Sequence, residues 1–98
     1  MHVTVRGYQE VRGGLDDALR RHFTEGFLPI IQKASGFIAY YALDPGDGGL
    51  VTISVFGNAA EAEESTRMAA DYIRENLADR FSAPPEVTSG EVVAHAGS

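Results

Sequence analysis

The sequence contains no cysteine and no tryptophan. Without cysteine there is no disulfide framework, no thiol nucleophile and no iron–sulfur cluster, a usage that fits a cytoplasmic protein. Long apolar runs are also missing. The longest stretch that is almost purely apolar, residues 36–43, is far too short to cross a bilayer, which takes ~20 residues. Residues 1–11 alternate in polarity and lack the charged-then-apolar order of a signal peptide. No membrane association is therefore expected. Positive charge is scarce, with 8 Lys and Arg against 14 Asp and Glu, for a net charge of −6. The one local cationic pair, Arg20–Arg21, is flanked by Asp16, Asp17 and Glu25. Such a surface repels phosphate backbones, so nucleic acid is excluded as a partner.

Several catalytic signatures are absent too. His2, His22 and His95 are too dispersed to form a metal centre, and no metal is expected. There is no Gly-x-Ser-x-Gly nucleophile elbow. Residues 46–49, Gly-Asp-Gly-Gly, carry no phosphate-loop lysine and open no helix, so they read as a turn.

What is present is ordinary for a globular domain: 44% hydrophobic and 22% charged residues in 98. One domain over residues 1–98 is expected. Residues 2–11 alternate, Val3, Val5 and Val11 on one parity and Thr4, Arg6 and Tyr8 on the other, which predicts a strand. Residues 15–34 carry a helical stripe of Leu15, Ala18, Leu19, His22, Phe23, Ile30 and Ile31, with Asp16 and Asp17 favourable in the first turn. Gly26 and Pro29 interrupt it, and proline at 29 crowds the carbonyl of Glu25, so a kink or break between Gly26 and Pro29, and with it two helical pieces, is predicted. Ser35–Gly36 ends the helix. Residues 37–43 and 50–56 are apolar β-prone runs around the turn-forming 44–49, which predicts a hairpin. Asn58 with Glu61 has capping-box spacing. A second helical stripe then runs from Ala62 through Thr66, Ala69, Tyr72, Ile73 and Leu77 to Phe81. Pro84–Pro85 stops it, and residues 87–95 read as a last strand.

The order β-α-β-β-α-β predicts an α+β, ferredoxin-like fold: a four-stranded antiparallel sheet with both helices on one face. A sheet with one wet face alternates cleanly, yet residues 37–43 are apolar or aromatic on both parities. Something must cover the second face near this strand, and the economical partner is a second copy, giving a homodimer.

The Gly36-Phe37 opening, the run from Val51 to Phe56 and the acidic helix from Asn58 to Leu77 resemble the dimeric α/β-barrel proteins of the antibiotic-biosynthesis-monooxygenase type. The likeness covers nearly the whole chain. It implies a pocket between sheet and helices that takes a small-molecule ligand, and oxidation of an aromatic or enolisable substrate by oxygen with no cofactor. The chain departs from those enzymes in having no tryptophan, and neither Asn58 nor Asn76 matches a catalytic motif. The alternative is a non-catalytic ligand-binding, regulatory or interaction module on the same fold.

His22 is the best catalytic candidate, since it lies on the apolar stripe facing the sheet and an imidazole can accept or donate a proton. A structural histidine is the plainer reading. Tyr40, Tyr41 and Tyr72 offer phenols to a ligand, although buried tyrosines more often pack with the hydroxyl at a rim. Tyr40 and Tyr41 are adjacent on a strand, so they point to opposite faces. Arg6 with Tyr8 is suited to an anionic or enolic oxygen. Against that, an arginine in a short edge strand usually stays solvated and deters strand-to-strand aggregation, and this reading is preferred.

Overall fold

The computed structural model describes residues 1–97, so Ser98, the last residue of the expected domain, lies outside it. The chain runs β1 (His2–Tyr8), α1 (Asp17–Arg21), a π-helical segment (His22–Phe27), α2 (Leu28–Ile31), β2 (Phe37–Leu43), β3 (Leu50–Phe56), α3 (Ala59–Asn76) and β4 (Glu86–Glu91). The strands form one antiparallel sheet in the order β2-β3-β1-β4. This is the ferredoxin-like arrangement, and β1 is a central strand in it.

The hairpin strands have the bounds expected from their composition. Asp44 and Asp47 close the turn by accepting from the N–H groups of Gly46 and Gly49. Asn58 caps α3 by accepting from the Glu61 N–H at 2.9 Å, a contact worth ~1 kcal/mol. The reciprocal half of the capping box is not made, because the Glu61 carboxylate accepts instead from the Ser35 hydroxyl. β1 is shorter than expected, with Val11 returning only as a single bridge to Phe81. α3 also stops early, at Asn76, and β4 covers 86–91 rather than 87–95. Phe81 therefore lies beyond the helix and packs edge-on against Tyr8 at 4.9 Å.

The first helical region changes between Gly26 and Pro29, where a kink or break is predicted, and it does so by a change of helical register and not by a break. Residues from Arg21 to Gln32 at the segment junctions keep right-handed helical torsions, and the hydrogen-bond ladder widens between them. The Leu28 N–H reaches back five residues to the Phe23 carbonyl, and Pro29 falls in the first turn of α2, where a missing donor costs little. The change of register takes up the proline without a break.

Pairing in register places Thr4, Arg6 and Tyr8 on the same face as Leu50, Thr52, Ser54 and Phe56, and all of these are buried beneath the helices. The opposite face carries Val3, Val5, Val51, Ile53 and Val55, joined by Ala39, Tyr41 and Leu43 of β2. Tyr41 and Leu43 are 58% and 41% exposed, so the apolar edge of this face is open. The helix-covered interior has an aromatic half around Phe27, Ile31 and Phe56 and a second half around Tyr8, Leu19, Leu50 and Leu77. Among the described residues, no helix is long and apolar enough to cross a membrane.

Candidate functional site

A cavity of about 520 Å³ opens between the β1–β4 side of the sheet, the C-terminal half of α3 and residues 78–85. Its walls are largely apolar: Ala69, Ala70, Ile73, Phe81, Pro85 and Val87 contribute. The size suits a drug-sized molecule. Small side chains on one face of α3 make the room, and Pro84–Pro85, which cannot join the sheet ladder, keep the mouth from closing as a strand.

Arg6 lies in this wall and is 2% exposed. The expectation of a solvated arginine on an edge strand is overturned, because β1 has β3 on one side and β4 on the other. Its guanidinium donates to the Ser54 hydroxyl at 3.2 Å and to the Thr66 hydroxyl at 2.6 Å, while Nε is buried without a partner. Thr66 in turn donates to the Ala62 carbonyl, which holds its oxygen toward Arg6. Among the described residues no carboxylate forms an ion pair with Arg6. Burial pushes its pKa down, and the charges it senses are those of Tyr40 and Tyr8. Desolvating an ion costs several kcal/mol, and two neutral acceptors return only ~1.5–3 kcal/mol each. The charge is thus held in place without being neutralised.

Burial raises the pKa of Tyr8, with Arg6 pulling the other way, so at neutral pH it is an un-ionised phenol. Burial pushes Tyr40 up to about 12. The Thr52 hydroxyl lies near enough to favour the Tyr40 phenolate slightly but closes no normal hydrogen bond and has no other partner. A pH dependence follows. As pH rises through about 10, Tyr40 ionises in the unfolded chain but not in the folded one. Stability then falls, by ~1.4 kcal/mol at about pH 11. Tyr40→Phe should remove that part of the alkaline loss, read as a smaller drop in urea midpoint between about pH 8 and pH 11. An unchanged drop would mean that the phenol titrates as if exposed.

Tyr72 reaches across from α3 to the π-helical segment. Its hydroxyl donates to the His22 carbonyl at 3.2 Å and lies 3.1 Å from His22 Nδ1. Gly26 admits it, since a Cβ there would stand 2.0 Å from the hydroxyl oxygen. His22 is half-buried and turned toward Tyr72, and neither residue lines the 520 Å³ cavity. Tyr8, Tyr40, Tyr72, Phe27 and Thr52 instead surround a void of about 10 Å³, room for one water at most.

The six residues singled out in the sequence therefore divide. Arg6 and Tyr8 meet at the cavity, Tyr8 also forming part of the closed aromatic cage with Tyr40 and Tyr72. His22 braces that cage from outside, and Tyr41 points to the opposite face of the sheet. Ser54 and Thr66, which hold Arg6, and the wall formed by Phe81, Pro85 and Val87 belong to no motif. Their signal is positional: a lone cation on the inner parity of β1, a serine one pair away on the same face of β3 and a threonine on the apolar stripe of α3. Among the described residues no group of three His, Cys, Asp or Glu side chains is placed to hold a metal ion.

No family model and no curated protein matches this sequence. Solved structures do. A protein of unknown function from Nitrosomonas europaea superposes with a TM-score of 0.76 at 22% identity, over 99% of this chain and 93% of that one. MhuD, crystallised with two manganese protoporphyrin IX molecules per active site, gives 0.73 at 16% identity over the whole of both chains. The ActVA-Orf6 monooxygenase of Streptomyces coelicolor, in complex with nanaomycin D, gives 0.71 at 17% identity over 99% and 92%. The chain has the ferredoxin-like α+β fold of antibiotic-biosynthesis-monooxygenase-like proteins.

Proposed function

We propose that this protein is a small-molecule-binding homodimer whose ligand lies in the cavity between β1, β4 and α3. The observation that carries the reading is the juxtaposition of an apolar 520 Å³ cavity with a buried, unneutralised Arg6 and the phenol of Tyr8. An apolar body and one polar end are what such a site recognises. The dimer is supported by the helix-free face of the sheet, where Val3, Val5, Val51, Ile53, Val55, Tyr41 and Leu43 form one apolar surface. A continuous patch of this kind is a liability on a monomer and self-complementary across a two-fold axis.

A catalytic reading of the same site is cofactor-independent oxygenation of an aromatic or enolisable substrate. It is favoured by the Arg6–Tyr8 pair, since a guanidinium and a phenol O–H are the groups that stabilise oxygen anions as charge develops. In this reading Arg6 and Tyr8 bind the substrate oxygen. Tyr40, Tyr72 and His22 stand behind the wall as positioning groups. The apolar residues exclude water.

The test is a thermal-shift screen of polycyclic phenols, quinones, acyl lactones, haem and aromatic carboxylic acids, followed by oxygen uptake with any class that binds. A ligand at 100 times its Kd stabilises by ~2.7 kcal/mol, or roughly 10–20 °C for a domain of this size. Binding with oxygen consumption supports the catalytic reading, and binding without it supports the non-catalytic one. A flat screen counts against the cavity as a ligand site and favours a packed interaction module.

A further inference from the structure

The cavity holds a charge and no base. Its titratable lining residues are Arg6, Tyr8 and Arg74, with no His, Asp or Glu among them. Arg74 sits at the rim, exposed and already paired with Asp71 at 2.7 Å. Arg6 is the opposite case: buried, with two of the five N–H donors of a guanidinium engaged by neutral hydroxyls and Nε unpartnered. Of the five carboxylates on the adjoining helix, Glu64 pairs with Arg67 and Asp71 with Arg74 at the surface, Glu61 accepts from Ser35, and none forms an ion pair with Arg6. Those of β4 do not reach Arg6 either, since Glu91 pairs with the N-terminus and Glu86 lies on the other sheet face, opposite Gly7.

A ligand supplies the missing charge at least cost if it is already ionised at neutral pH, since no base lines the cavity and each pKa unit above the ambient pH costs ~1.4 kcal/mol. Phenols and enols titrating near 10 do not meet that condition, and carboxylic acids titrating near 4 do. The walls beyond Arg6 are apolar, so the remainder of the molecule is apolar as well. We propose that the ligand of this site is an apolar carboxylic acid bound as its carboxylate, with Arg6 as its counter-charge. The inference rests on the cavity being the binding site and names the class of molecule that it takes.

Three probes with one ring system test it: 2-naphthoate, 2-naphthamide and 2-naphthol, titrated at neutral pH against the intact protein. The methyl resonances of Ala69, Ala70, Ile73 and Val87 report where each binds. The carboxylate should bind about 30-fold more tightly than the amide or the phenol, which is ~2 kcal/mol at 1.4 kcal/mol per factor of ten. In Arg6→Met the naphthoate should fall to the affinity of the amide, and the amide should be unchanged. Arg74→Gln should alter naphthoate binding by at most about fivefold, as for an exposed ion pair.

Equal affinities for the three probes in the wild-type protein, with the cavity methyls shifting, overturn the carboxylate assignment and leave the cavity as a binding site. Naphthoate binding that survives in Arg6→Met and is lost in Arg74→Gln overturns Arg6 as the counter-charge. No methyl shift with any probe at millimolar concentration removes the cavity reading and this inference with it. The wild-type comparison decides the question even where a variant folds poorly.

Discussion

Gly26→Ala should destabilise the protein by ~3 kcal/mol, although alanine is the better helix former by ~1 kcal/mol. The added methyl would stand 2.0 Å from the Tyr72 hydroxyl oxygen. Either the π-helical segment moves off α3 or the tyrosine ring is expelled from its seat beside Phe27, whose ring lies 5.5 Å away. Overpacking of this kind costs ~1–3 kcal/mol. Displacing the hydroxyl also loses its contacts with the His22 carbonyl and ring, at ~1 kcal/mol each. Thermal unfolding should drop by roughly 10–20 °C. The control is the same substitution in a Tyr72→Phe background. There the clashing oxygen is gone and the nearest atom is the ring carbon at 3.0 Å. The cost should shrink to ~1 kcal/mol, a coupling of ~2 kcal/mol between the two sites. Equal costs in both backgrounds would mean that the methyl is refused by the Tyr72 ring and not by its hydroxyl.

Arg6→Met is expected to do the reverse, raising the stability of the ligand-free protein by ~1–2 kcal/mol. Methionine has the length and flexibility to fill the arginine's path. Replacing buried charges by apolar groups of similar volume is often neutral or stabilising by ~1–4 kcal/mol. Arg6 has only neutral acceptors, so its removal strands no buried carboxylate. The losses are small: Thr66 keeps its bond to the Ala62 carbonyl, while the buried Ser54 hydroxyl loses its donor at ~1 kcal/mol. Denaturant unfolding of the variant gives the answer directly. A gain identifies Arg6 as a group carried at a cost to the fold, as binding residues often are. A loss of more than ~1 kcal/mol would make it a structural residue after all, held by Ser54 and Thr66 for the sake of the sheet.

Much of the architecture was legible because it depends on local chemistry. The two hairpin strands, 37–43 and 50–56, stand where β-prone residues flank a turn of Asp, Pro and Gly. The α3 cap stands where asparagine precedes a helical stripe. The aromatic crowding on both parities of β2 predicted a sheet with two apolar faces, and Tyr40 and Tyr41 do point to opposite sides. Long-range partners are what defeated the rest. Glu61 left the capping box for Ser35, 26 residues away. Phe81 lies outside the helix whose period it continued, because Val11 offers it a strand bridge. The π register absorbed Pro29 while Tyr72 filled the space left by Gly26, and no local rule foresees either.

The sequence by itself determined the order of elements, the two-faced strands and the lack of thiol chemistry, since these follow from spacing and composition alone. Tertiary structure decided which face is inside. Period two in β1 separates Val3 and Val5 from Thr4, Arg6 and Tyr8, but alternation has no sign. Only the placement of β1 between β3 and β4, with α3 laid across one side, buried the polar parity and left the valines for a second surface. The same placement turned Arg6 from an edge-strand charge into a desolvated cation facing a cavity. Burial and charge balance are properties of a packed assembly and not of a residue's neighbours in the chain.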